Sequence, residues 1–245
     1  MLELRSAVRK RVEKHAREMA PARRLLFELA LAALDREVEN GRARVLDAGC
    51  GEGFLTTTIA LRFPGWDILG IDLNEEMLAR ARSAGQGLPN LRFARADVTE
   101  DLGNSLYDVV LALECLEAIP DDEAALANMA RSLRSGGLFL VQAPERHWTP
   151  ALRGSEYTWR HEVRHGYSAS ELEAKLSRAQ LDVVWIVPTS RGTVALASEL
   201  RDRTKASSLK RRMLAYPGMA AAVRLERLGL TWGPPRSLFV VARRR

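Results

Sequence analysis

VLDAGCGEGF, Val45 to Phe54, leads an apolar run through one acid into a turn of small residues holding Gly49, Gly51 and Gly53. Glycines this close together let a backbone adopt left-handed conformations and approach a ligand closely. A dinucleotide fingerprint of the form Gly-x-Gly-x-x-Gly would require glycine at 54, where Phe54 stands. A phosphate loop would require Gly-Lys-Ser/Thr, and the turn has no lysine. Asp47 just ahead of the turn would repel a pyrophosphate, whereas it suits a ligand carrying an amine or another positive charge.

Outward from this turn, short apolar runs alternate with helical stretches, the pattern of a parallel α/β sheet. Strands are expected near 43–47, 67–71, 90–94, 107–112, 137–142, 182–188 and 236–243. Helices are expected after Gly53, after Asn74 with Glu75 and Glu76 in its first turn, after Pro120-Asp121, and from Ser168 with Glu171 completing a capping box. Val8, Val12, His15 and Met19 share one helical face, and Pro21 opens a second helix that ends by Gly41. Residues 1–41 therefore read as an N-terminal helical cap and 42–245 as the sheet domain. Two long connections interrupt that domain, 143–167 and 189–235; connections of this length are commonly functional. The second is expected to be an ordered lid of two helical stretches broken at Pro217-Gly218.

Asp72 ends the second strand, 25 residues after Asp47. An acid at this place in a doubly wound sheet accepts hydrogen bonds from the two ribose hydroxyls. A ligand with a ribose, a cationic group and no phosphate on this turn is met by S-adenosylmethionine. VLDAGCGEGF, GIDLNEEML, FARADVTE, YDVVLALECLEAIPD and LRSGGLFLVQAPE together resemble the class I S-adenosylmethionine-dependent methyltransferase family. The likeness is close over about residues 42–143 and weaker beyond. It implies a Rossmann-like, seven-stranded, mostly parallel sheet with a helical insertion before the last strand. It also implies that Gly49, Gly51 and Gly53 cradle the methionine part, Asp47 meets its amino group, and Asp72 binds the ribose. Leu73 would line the adenine, Asp97 and the Val98 amide would bond its edge, and Glu114 would pass near the transferred methyl. The product would be S-adenosylhomocysteine. Where many relatives read Leu-Glu-His-Ile, this chain has Leu116 to Ile119 with Ala118 in the histidine's place, so that histidine's role does not carry over.

The acceptor is read as a small molecule, with oxygen preferred: a hydroxyl of a secondary metabolite, glycan or lipid-linked precursor. The reason is that His147, His161 and His165, three of the four histidines, fall in one connection and are candidates for a general base. Trp148, Tyr157, Trp159, Arg160, Arg164 and Tyr167 would wall the pocket. His15 is expected in packing or at a rim. His161 and His165 lack a third partner for a metal, and none is expected. Nitrogen or carbon methylation is the alternative, then an RNA methyltransferase or a non-catalytic scaffold of the same fold.

Composition bounds these readings. The 47% hydrophobic content of 245 residues is that of a globular chain. The two cysteines, Cys50 and Cys115, imply no disulfide framework and a reducing cytoplasmic setting, and both are expected to be small buried residues. Met1 to Lys14 lacks an apolar signal core, and no run is long enough to span a membrane. Residues 201–245 carry 12 basic against 2 acidic groups within an overall charge of +6. That segment is read as a candidate contact with an anionic membrane or partner. Nucleic acid is disfavoured: the segment after strand four, LALECLE, is acidic and lacks the Asn/Asp-Pro-Pro-aromatic motif of amino-methylating DNA enzymes. A homodimer is left open.

Overall fold

A computed structural model of the chain describes residues 2–38, 41–152, 163–203 and 209–245. The apolar runs form strands β1 (Arg44–Ala48), β2 (Asp67–Asp72), β3 (Leu91–Arg95), β4 (Tyr107–Leu113), β5 (Leu133–Pro144), β6 (Leu181–Thr189) and β7 (Ser237–Arg244). They make one seven-stranded sheet in the order β3-β2-β1-β4-β5-β7-β6. β7 runs antiparallel to both neighbours, and the other pairings are parallel. The strand order turns back between β1 and β4, so a crevice opens past their carboxyl ends, the place where such sheets bind ligands.

Both faces of the sheet are buried, which is why its strands read as continuous apolar runs. Val45, Val109, Leu111, Leu140 and Phe239 pack with helices α2 (Pro21–Glu37) and α3 (Phe54–Arg62) on one face. Leu46, Val110, Phe139, Val141 and Val240 pack on the other face with α5 (Asp122–Ser132) and α6 (Ala169–Arg178). Each fully buried large apolar side chain contributes about 1.5–3 kcal/mol. Helix starts follow their caps. Asn74 accepts from the amides of Glu76 and Met77 at the head of α4 (Glu75–Gly85), Asp121 from Ala124, and Ser168 from Glu171.

The N-terminal helix α1 (Leu2–Glu18) lies on α3 and α4, where Arg11 Nη1 donates to the Ser83 carbonyl. The insertion forms α7 (Gly192–Arg203) and α8 (Leu209–Arg227). It differs from expectation at Pro217-Gly218, where α8 continues with the proline inside it. A proline costs its helix one hydrogen bond, and contacts elsewhere on α8 outweigh that loss. Val194, Ala222 and Val223 form a small core with Leu25 of α2, and the Ala22 amide donates to Ser198 Oγ at 3.0 Å. α2 of the cap thus packs with both helices of the insertion, which also pack with each other. Part of the basic excess near the C-terminus serves the fold: Arg243 pairs with Glu37 at 3.1 Å, Arg245 with Asp182 at 2.7 Å, and Arg227 with Glu28 at 3.1 Å. Among the described residues, no helix is long and apolar enough to cross a membrane.

Candidate active site

The turn after β1 is anchored to β2, because the amides of Gly49 and Cys50 both donate to the Ile71 carbonyl at 2.9 Å. Gly49 (φ +74°) admits no side chain, since a Cβ there would stand 2.6 Å from that of Cys115. Gly51 (φ +53°) has nothing within 4 Å of its would-be Cβ, so its bare backbone faces open space. Gly53 caps α3 and packs towards Ala81 and Phe93 instead of lining the crevice.

The crevice is a cleft of about 1050 Å³ lined by Asp47, Gly49, Gly51, Asp72, Asp97 and Glu114 among others. Asp47, paired in register with Gly70 and Leu111, is 4% exposed and accepts from Thr56 Oγ1 at 2.6 Å. Burial pushes its carboxyl up to about 6; the Thr56 bond opposes the rise, and the nearby Asp72 adds to it. Asp72 accepts the Gly51 amide on one oxygen and the Asn74 amide on the other, both at 2.8 Å. Each oxygen keeps lone-pair capacity for further donors. Leu73 beside it is 53% exposed at the cleft wall. Asp97 Oδ1 accepts from both the amide and the hydroxyl of Thr99, which holds its carboxyl below the usual range, and Val98 lies next to it in the wall. Burial pushes the thiols of Cys50 and Cys115 far up, so neither supplies a thiolate at neutral pH.

Beyond β4 the chain turns sharply at Glu114 (φ +55°). Its amide donates to the Gln142 carbonyl at 3.2 Å and to Gln142 Oε1 at 3.1 Å. Its carboxylate accepts from Arg23 Nε at 3.0 Å, a contact brought by α2. Glu114, Arg23 and Leu26 line the cleft and also a second, polar cavity of about 210 Å³. Sequence reasoning missed Arg23 and that cavity, whose members come from α2, from the 3-10 helix Leu116–Ala118 and from four separate strand ends.

Two of the three candidate bases, His147 and His165, fall among the described residues. His147 and His165 are exposed and are not among the residues lining either cavity, and His161, Tyr157, Trp159 and Arg160 lie outside the described residues. His15 is the described histidine at the cleft, where it stacks on Phe54 with ring centroids 3.3 Å apart. Tyr167 is not a pocket wall: it is fully buried, and its hydroxyl donates to Asp122 Oδ2 at 2.7 Å and accepts from Arg164 at 2.7 Å. No metal-holding cluster of His, Cys, Asp or Glu occurs among the described residues.

A bare glycine backbone, a buried carboxylate suited to a cationic partner, and two further carboxylates with spare acceptor capacity fit a nucleoside bearing an amino-acid arm. They do not fit a pyrophosphate.

A family model described as a methyltransferase domain matches residues 39–184. The chain is 40% identical over 109 residues to the trans-aconitate 2-methyltransferase of Deinococcus radiodurans, covering 44% of this chain and 41% of that protein. It is 37% identical over 133 residues to the enzyme of the same name in Methylobacterium nodulans, covering 54% and 47%. The chain thus spans less than half the length of these two relatives. Among solved structures, the [4+2]-cyclase SpnF superposes with a TM-score of 0.65 at 22% identity, over 89% of this chain and 81% of the other. An S-adenosylmethionine dependent methyltransferase from Mesorhizobium loti superposes at 0.60 and 22% identity, over 87% and 96%. At such identity the likeness speaks for the fold, and a cyclase among the neighbours illustrates that this fold does not by itself dictate one reaction.

Proposed function

The chain belongs to the class I S-adenosylmethionine-dependent methyltransferase family, and from that premise we propose that it transfers the methyl group of S-adenosylmethionine to oxygen of a small-molecule acceptor. The observation carrying this reading is the junction of two spaces: a nucleoside-sized cleft at the β1–β4 switch point and a small polar cavity that shares Arg23, Leu26 and Glu114 with it.

When bound, the cofactor supplies an activated methyl on a sulfonium, so the protein's work is to hold, orient and exclude water. Asp47, kept in place by Thr56, would face the amino group, and the backbone at Gly49 and Gly51 would cradle the methionine arm. Asp72 would accept from the ribose hydroxyls, Leu73 would cover the adenine, and Asp97 with the Val98 amide would read its edge. The Glu114–Arg23 pair would form the partition between cofactor and acceptor.

A hydroxyl acceptor must lose a proton, and His147, His161 and His165 are the candidate bases that the sequence offers. The exposed positions of His147 and His165 favour an acceptor oxygen that already carries charge. The curated relatives, named for trans-aconitate, lend support to a small acceptor of that kind. A cytoplasmic setting, a homodimer and a contact of residues 201–245 with an anionic membrane are further proposals. Calorimetric titration with S-adenosylmethionine and S-adenosylhomocysteine tests the central reading. Saturable one-site binding of both, with no response to NAD, is expected; no binding of either would favour a scaffold with the same fold.

A further inference from the structure

The second cavity is built where the ends of β4, β5 and β6 meet the start of β7, and its wall is polar, with two arginines and two glutamates. Gln142, Thr189, Ser190, Arg236 and Ser237, whose side chains carry N–H or O–H groups, line it together with the buried carboxylate of Glu117, 5% exposed. The Oε1 of Gln142 already serves the Glu114 amide, so what this side chain has left to donate is its amide N–H₂. Glu114 is engaged by Arg23, whose guanidinium also reaches the wall.

Arg236 is the centre of this arrangement. It is 8% exposed, with its guanidinium carbon 5.2 Å from the ring centroid of Trp148, itself 7% exposed. Its amide donates to the Thr189 carbonyl at 3.1 Å and its carbonyl accepts from the Glu145 amide at 2.9 Å, which locks the residue between two neighbouring segments. The segment bearing Trp148 is tied down in turn, since the Glu199 carboxylate accepts the amides of Ala151 at 3.1 Å and Leu152 at 2.9 Å. Ser190 stands in a left-handed conformation (φ +57°), and the next amide, that of Arg191, donates to both oxygens of Glu226 at 3.0–3.1 Å. The donors are therefore pre-positioned. A planar guanidinium backed by an indole face matches a carboxylate in geometry as well as charge.

We propose that this cavity is the acceptor site and that it takes a small carboxylate-bearing molecule, with Arg236 gripping the carboxylate as the specificity-determining residue. This rests on the methyltransferase reading. The volume, about 210 Å³ against about 1050 Å³ for the cleft, suits a small organic acid and excludes anything the size of a nucleotide. Arg236 acts by positioning: the grip would direct the remainder of the acceptor toward the partition formed by Arg23 and Glu114.

The test is calorimetry on full-length protein saturated with S-adenosylhomocysteine, titrated with trans-aconitate, succinate and benzoate, and with the neutral trimethyl ester of trans-aconitate. At least one acid is expected to bind, and its uncharged ester to bind at least tenfold more weakly. Arg236→Gln should weaken the acid at least tenfold and Arg236→Lys by less, with the affinity for S-adenosylhomocysteine unchanged in both. Failure of every acid to bind, equal binding of acid and ester, or undiminished binding by Arg236→Gln would overturn the proposal. The comparison of acid with ester uses the unaltered protein, so it decides even if a variant does not fold. Loss of S-adenosylhomocysteine binding in the unaltered protein would instead strike the methyltransferase reading itself.

Discussion

Arg23 on α2 and Glu114 after β4 meet across 91 residues of sequence, with Arg23 Nε 3.0 Å and Nη2 2.9 Å from the same carboxylate oxygen. This pair joins the N-terminal cap to the carboxyl end of the parallel strands and walls both cavities. Its side chains are 54% and 33% exposed, so its worth to global stability is small, about 0.2–1 kcal/mol. Its larger effect is to fix where α2 sits over the cofactor cleft. Arg23→Ala is therefore expected to leave the urea midpoint nearly unchanged while weakening S-adenosylhomocysteine binding several-fold by calorimetry. Unchanged affinity would show that α2 holds its place without the pair.

In its proposed place at the cofactor's amino group, Asp47 would make binding depend on pH. Its carboxyl rises from 3.8 unfolded to about 6 folded, chiefly through burial. The folded state thus binds the proton more tightly, and this group's contribution to stability is present at low pH and lost as pH climbs from near 4 through 6. The loss is on the order of 3 kcal/mol. A cationic ligand needs the ionised form, and about one molecule in ten carries it at pH 5. Affinity for S-adenosylmethionine should accordingly fall roughly tenfold between pH 7 and pH 5, with proton release on binding near pH 5.5. Calorimetry in buffers of differing ionisation heat reads both quantities. In Asp47→Asn the pH dependence should vanish, along with most of the affinity.

Tyr167 provides a control that separates scaffold from site. Its buried hydroxyl joins Asp122 to Arg164, and Asp122 also meets Lys175 at 3.0 Å. Tyr167→Phe leaves that network short of one donor and one acceptor, a cost of about 1–3 kcal/mol. Urea unfolding should show the loss, and S-adenosylhomocysteine affinity should stay within twofold. A large fall in affinity without a change in stability would return Tyr167 to the acceptor wall.

What the sequence discloses here is local. The glycine turn, Asp72 at the tip of β2 and the caps at Asn74, Asp121 and Ser168 are each set by neighbours a few residues away, so each can be read in place. The path of α8 through Pro217 cannot, because propensity marks a break there while tertiary contacts carry the helix on. Gly53 follows the turn motif in sequence, yet its outcome depends on Phe93 and Ala81 packing against it from β3 and α4. Of the three histidines gathered in one connection, His147 and His165 are exposed away from both cavities, because nearness in sequence does not by itself aim a side chain at a pocket. Arg236 reads as part of the basic 201–245 segment because charge alone is visible in a sequence, whereas its burial over Trp148 arises only when β7 inserts between β5 and β6.

Asp72 carries the sharpest test of the cofactor site, because it already works without ligand. Its two oxygens hold the amides of Gly51 and Asn74, so the carboxylate shapes the turn it would help to fill. Asp72→Ala strands both amides and removes the acceptors proposed for the ribose. Each unmade bond costs about 1–3 kcal/mol, so affinity for S-adenosylhomocysteine should fall at least tenfold and the melting temperature should drop as well. Asp72→Asn separates the two roles. One of its side-chain ends remains an acceptor for the turn while the other turns an N–H₂ towards a backbone N–H, so stability should recover only in part while ribose binding stays impaired. Calorimetry beside thermal melts gives both values for each variant. If Asp72→Asn bound the nucleoside as tightly as the unaltered protein, Asp72 would be a turn-former alone.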